Sequence, residues 1–141
     1  MKMSILALPI ILLFVFTSCK KDDNSSSITT TSVIDNMQQG SWRITLYNDS
    51  GIDETYHFTG YSFTFSNGTV VATKSGNTAS GIYSSGNDDN QVKFILDFGA
   101  ISPFDELNDD WHVIEQSSSI IKMQDISGGD GGTDLLTFES N

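Results

Sequence analysis

Two histidines, one cysteine and a run of carboxylates are the side chains of this sequence best suited to chemistry. His57 and His112 are the only histidines, and each stands beside an aromatic residue, Tyr56 or Trp111. A metal-binding or general-base role would require an imidazole to meet carboxylates from elsewhere in the chain. Nothing in the spacing demands that, so both are read as surface histidines. Asp105, Glu106, Asp109 and Asp110 could offer oxygen ligands to calcium, but a run of this kind more often caps a short helix and solvates a loop. Paired carboxylates of the glycosidase type carry no information among eighteen acids. There is no G-x-S-x-G, no H-E-x-x-H and no phosphate-cradling glycine loop leading into a helix. The expectation is a non-enzymatic protein with no metal site and no cofactor.

The cysteine is more informative. Met1 to Ser4 carry one positive charge, Ile5 to Phe16 are apolar apart from Pro9, and the small residues Thr17 and Ser18 precede Cys19. Those are the three regions of a secretory leader. The apolar run is about twelve residues, short of the roughly 20 that span a bilayer as a helix. Phe16-Thr17-Ser18-Cys19 resembles a bacterial lipobox, which implies that Cys19 is lipidated and becomes the first residue of the mature chain. Several acyl chains on one residue make a stable anchor, each buried CH2 contributing about 0.8 kcal/mol. Lys20-Lys21-Asp22-Asp23 resembles the surface-export tag of Bacteroidetes lipoproteins. The resemblance implies an outer-membrane protein facing outward, with a periplasm-facing anchor as the alternative. The chain thus divides into a signal peptide (1–18), a lipidated cysteine with a Ser/Thr-rich tether (19–32) and one folded domain (33–141). As Cys19 is the sole cysteine, the domain has no internal disulfide, no thiol nucleophile and no cysteine-ligated zinc.

Without Lys2 the mature chain has six basic residues against eighteen acidic ones, a net charge of −12. Such a surface repels polyanions, so nucleic acid is not an expected partner. The acids are interleaved with aromatics and glycine-bounded apolar runs, which is the composition of a folded domain rather than of a disordered acidic chain.

The elements that must position these residues are strands. Tyr61, Phe63 and Phe65 alternate with Ser62, Thr64 and Ser66, and Val92, Phe94, Leu96 and Phe98 form a second series of period two. Asn67-Gly68 marks a hairpin, because both residues accept the positive φ of a type I′ turn. Strands are expected near 41–48, 54–59, 61–66, 69–75, 78–84, 91–98, 110–116, 119–125 and 134–140, with turns at 49–53, 75–77, 85–90 and 126–133. The segments 54–59 and 61–66 could be one strand bent at Gly60. Short helices are expected over 32–39, with Ser32 as N-cap and Gly40 as stop, and after Ser102-Pro103. Eight or nine strands with close turns predict an all-β domain, an antiparallel up-and-down barrel or a β-sandwich.

Gly40-Ser41-Trp42 follows the first short helix and resembles the G-x-W motif of lipocalins. Taken with Phe63-Thr64-Phe65-Ser66-Asn67-Gly68, Leu107-Asn108-Asp109-Asp110-Trp111 and the leader and tag, the sequence resembles the small lipocalin-like lipoproteins of Bacteroidetes over most of 33–141. The resemblance implies a barrel of about eight strands whose base is closed by the Trp. It also implies a small apolar or amphipathic ligand at the other end. Gly129-Asp130-Gly131-Gly132-Thr133-Asp134 resembles the nonapeptide of calcium-binding β-rolls, yet one copy cannot build a site that needs stacked repeats.

Most aromatics of so small a domain must be core. Trp42, Tyr61, Phe63, Phe94 and Trp111 are the candidates for lining a ligand cavity. Two readings follow, a barrel binding a small ligand in its mouth and a packed barrel binding glycan or a protein partner through an outer patch. A filled interior would count against the first. Replacing Cys19 with Ala should release the mature protein from membranes in a fractionation experiment; if it still sediments with them, the lipoprotein reading fails.

Overall fold

The computed structural model describes residues 27–126 and 132–141. The leader, Cys19 and the Lys20–Asp23 cluster lie outside the described residues, as do Gly129 to Gly131 of the glycine-rich loop. Among the described residues no helix is long and apolar enough to cross a membrane.

One helix, α1 (Thr30–Met37), precedes nine strands: β1 (Trp42–Asp49), β2 (Ile52–Asp53), β3 (Ser62–Ser66), β4 (Thr69–Lys74), β5 (Asn77–Asp88), β6 (Gln91–Asp97), β7 (Asp109–Gln116), β8 (Ile120–Ile126) and β9 (Thr133–Ser140). Eight of them, β1 and β3 to β9, close into an antiparallel up-and-down barrel, because β1 pairs both with β3 and, from Trp42↔Ser140 to Asn48↔Leu135, with β9. The short β2 folds back on the end of β1. Closure leaves none of the long free edges of an open sheet, so the barrel, and not the sandwich, is the architecture.

The hairpins follow from their turn residues. Asn67 and Gly68 have φ of 49° and 78°, as a type I′ turn requires, and Ser75-Gly76 and Asp89-Asn90 repeat that pattern of two positive values. Strand β5 runs four residues past the expected end of 78–84, with Ser85 to Asp88 paired to Phe94 to Gln91. Small polar residues give no strand signal, and the partner strand imposes the extended backbone.

Further expectations are corrected. Residues 54–59 are not a strand: Thr55–Phe58 is a 3-10 turn. Asp53 Oδ1 accepts the Thr55 N–H at 3.0 Å, and Thr55 Oγ1 accepts the Tyr47 N–H at 2.8 Å. Such local side-chain bonds compete with a ladder. In α1 the N-cap is Thr29 and not Ser32. Thr29 Oγ1 accepts the Ser32 N–H and Ser32 Oγ accepts the Thr29 N–H, both at 3.0 Å, so Ser32 is the N3 partner of a capping box. Thr30 to Ser32, grouped with the tether in the sequence, are the first turn of the helix. The second short helix is the 3-10 turn Phe104–Leu107, preceded by Pro103 rather than capped by Ser102.

Alternation fills the interior from each of the eight barrel strands, and bulges adjust it. A register shift in β1 between Ile44 and Leu46 changes its phase, so Trp42, Ile44 and then Tyr47 are buried while Leu46 is only partly so. Helix α1 seals one end of the barrel. Val33 and Met37 point inward with no accessible surface, the Trp42 indole donates to the Met37 carbonyl at 3.0 Å, and Gln38 Nε2 donates to the Tyr83 hydroxyl at 2.8 Å. Replacing Trp42 with Ala should destabilise the fold by about 3–5 kcal/mol through the cavity left behind. Trp42→Phe, which leaves a buried carbonyl without its donor, should cost about 1–3 kcal/mol. Urea denaturation of the two variants checks the ranking.

Candidate functional site

The end opposite α1 carries the longer connections. Because the strands alternate in direction, the β1–β3 connection with β2 and the first 3-10 turn, the β6–β7 connection with the second 3-10 turn, and the junction where β8 ends and β9 begins all lie at this mouth. The two turns fold over it. Phe58, Phe104 and Leu107 are buried, and the Phe104 ring is the hub, with centroids 5.0 Å from Tyr61, 5.1 Å from Phe98, 6.1 Å from Phe58 and 6.2 Å from Phe63. The Trp111 indole donates to the Leu107 carbonyl at 3.0 Å, and the Tyr47 hydroxyl donates to the Glu106 carbonyl at 2.8 Å. Asn108 accepts the Phe98 N–H and donates to the Gly99 carbonyl, pinning both ends of the loop.

His57 stands in the first turn and Glu106 in the second. His57 Nδ1 lies 2.7 Å from Glu106 Oε2, and Glu54 offers a carboxylate oxygen within 4.8 Å of both ligand atoms. The fold thus supplies for His57 the meeting with carboxylates that its spacing did not demand. Burial, followed by the charges of Asp49, Glu106, Asp134 and Glu54, pushes the Tyr47 phenol above its ordinary range, so the mouth is a negative environment. His112 is not brought to His57. It lies on β7 opposite Lys93 and Gln124, with a buried Nδ1 that has no hydrogen-bond partner.

The four acids read as one candidate calcium cluster separate. Glu106 joins His57 and Glu54, Asp109 and Asp110 join Asp125, and Asp105 is in neither group. Hydrogen bonding to Lys93 holds Asp110 below the usual carboxylate range, and Asp110 and then Asp88 push Lys93 up. Asp109 is raised instead, chiefly by burial and further by the charge of Asp125, against the Asp110 N–H that its Oδ1 accepts at 2.7 Å.

The five aromatics proposed to line a cavity do not share a role. Trp42, Phe63, Phe94 and Trp111 have at most 1% of their surface accessible and belong to the core of the barrel. Phe63 packs edge-on to Phe138 at 5.4 Å, and Phe94 packs on Tyr83 at 5.6 Å. Tyr61 is the only one of the five that is not buried; it lies at the mouth against Phe104, with Lys74 Nζ 5.1 Å above its ring.

Solved structures with this fold include a DUF4847 family protein from Bacteroides vulgatus ATCC 8482, at 14% identity and a TM-score of 0.50, aligned over 77% of this chain and 97% of that one. A lipocalin-like protein from Bacteroides uniformis ATCC 8492 aligns at 17% identity and a TM-score of 0.45, over 75% and 99% of the two chains. No protein-family model matches the sequence, and no curated protein does. At these identities the likeness is one of fold.

The connections at the mouth also carry exposed apolar side chains. Ile52, Tyr56, Ile101 and Ile126, in or beside them, are 43% to 67% exposed. Sequence reasoning missed this apolar set and the Glu54–His57–Glu106 group, because both are assembled from separate connections. The only local signal was the placing of large apolar residues in segments otherwise rich in turn formers.

The shift on Asp109 has a pH consequence. A carboxyl raised in the folded state contributes its stability when protonated and loses it as pH rises through the folded value. Asp109→Asn should therefore raise the melting temperature at neutral pH, and the gain should vanish below the ordinary carboxylate range. Thermal melts across pH check both parts.

Proposed function

We propose that this chain is a surface-displayed, lipid-anchored binding module that takes a small apolar or amphipathic ligand at the rim of the barrel mouth. The observation that carries the reading is the apolar rim, Ile52, Tyr56, Ile101 and Ile126, gathered at the end that helix α1 does not seal. The buried interior counts against a ligand held deep in the barrel and leaves the mouth, where Tyr61 and these side chains can cover it. A tether from Cys19 would reach the domain through α1 at the sealed end, which leaves the mouth at the end far from the anchor on whichever side of the membrane the domain stands.

The outer wall favours a second reading. A shallow groove of about 480 Å3 lies over β4 to β6, lined by Thr69, Ser80, Gly81, Ile82, Asp97, Phe98 and Gly99. A Cβ on Gly81 would come within 2.6 Å of the Asp97 carbonyl and 2.9 Å of the Phe98 ring, so the strand needs glycine there. Such a groove beside exposed Ile82 suits a glycan or a protein partner.

Titration with a fluorescent fatty-acid analogue separates the two. The wild type should bind, the double variant Ile52→Ser, Tyr56→Ser should bind about tenfold or more weakly, as expected from losing one or two covered apolar side chains, and Ile82→Ser should bind as the wild type does. Absence of binding, or sensitivity to Ile82→Ser alone, would overturn the mouth reading.

A further inference from the structure

The group Glu54, His57 and Glu106 spans both turns that close the mouth, and its composition points past a simple latch. Its three ligand atoms lie within 4.8 Å of one another, and the His57 and Glu106 side chains are 25% and 31% exposed, withdrawn from bulk water yet reachable. Among the described residues no lysine or arginine pairs with either carboxylate. Arg43 pairs with Glu139, Lys93 with Asp88 and Asp110, and Lys122 with Glu115, while Lys74 donates to the Thr59 carbonyl. Even a protonated imidazole would balance only one of the two carboxylates. The negative charge so concentrated calls for a cation.

The donor set selects its class. Calcium and magnesium take oxygen ligands, and an imidazole nitrogen is foreign to them. Soft ions favour thiolates, which this group lacks. One imidazole with two carboxylates suits a borderline divalent ion such as zinc, at bond lengths near 2.0–2.2 Å. The other acidic group, Asp109, Asp110 and Asp125, is all carboxylate and already holds Lys93.

We propose that Glu54, His57 and Glu106 bind a zinc-class divalent cation that ties the two 3-10 turns together across the barrel mouth. Three protein ligands leave at least one coordination position to solvent. The site departs from the expectation, drawn from sequence, of no metal. It stands independently of what the rim binds, since it rests on the charged residues of the turns and not on Ile52, Tyr56, Ile101 or Ile126.

The experiment is calorimetric titration of the untagged full-length chain, stripped with EDTA, with zinc chloride and in parallel with calcium chloride. One zinc per chain is expected, bound more tightly than calcium, together with a rise in melting temperature on zinc addition, because an ion that binds only the folded state stabilises it. Glu54→Gln and His57→Gln should each weaken zinc binding by at least the 10–100-fold typical of losing even a supporting partner of a metal site. Asp109→Asn, outside the group, should bind as the wild type does. No zinc uptake by the wild type, uptake that survives His57→Gln, or calcium bound as tightly as zinc would overturn the proposal. The wild-type titration decides even if a variant fails to fold.

Discussion

Two indole N–H groups hold the two ends of this barrel. Trp42 donates to the carbonyl of Met37, the last residue of α1, and Trp111 donates to the carbonyl of Leu107, the last residue of the second 3-10 turn, each at 3.0 Å. A barrel has no free edges along its wall, but its ends must still be closed against water. The helical segments that close them leave terminal carbonyls with no partner of their own. In each case an indole meets that need with its one polar atom while its rings fill the interior. As the only cysteine is Cys19, no disulfide adds to the packing and hydrogen bonds of the barrel.

The same arrangement divides the barrel into an interior and a mouth. Trp42, Phe63, Phe94, Trp111 and Phe138 are all buried in its interior. At the mouth Phe104 plugs the opening, and the connections that hold the 3-10 turns carry both exposed apolar side chains and the charged group.

Much of the wall was legible locally. The alternation of Phe63 with Phe65 and of Val92, Phe94 and Leu96 marks strands because each apolar residue on a pleated strand faces the same side. Asn67-Gly68 marks its turn because only such residues take positive φ at low cost. The L-x-x-D-W segment was visible as a pattern, but its reason, Leu107 and Trp111 bonding across the start of β7, was not. Residues 54–59 misled because the Tyr56 and Phe58 alternation looks like a strand, whereas Thr55 is captured by side-chain bonds to Asp53 and Tyr47.

By itself the sequence determined the strands of the barrel wall, the first two-residue hairpin and the absence of disulfides, because these depend on side chains close along the chain. Tertiary structure alone decided that Tyr47 rather than Leu46 faces inward, since a bulge sets that phase against β9. It also decided that His57 meets Glu106, 49 residues away. No local propensity encodes a contact between two connections, for it exists only once the barrel has closed and brought their turns over the same mouth. His57, which the spacing left as a surface residue, owes its place in a charged group to that closure.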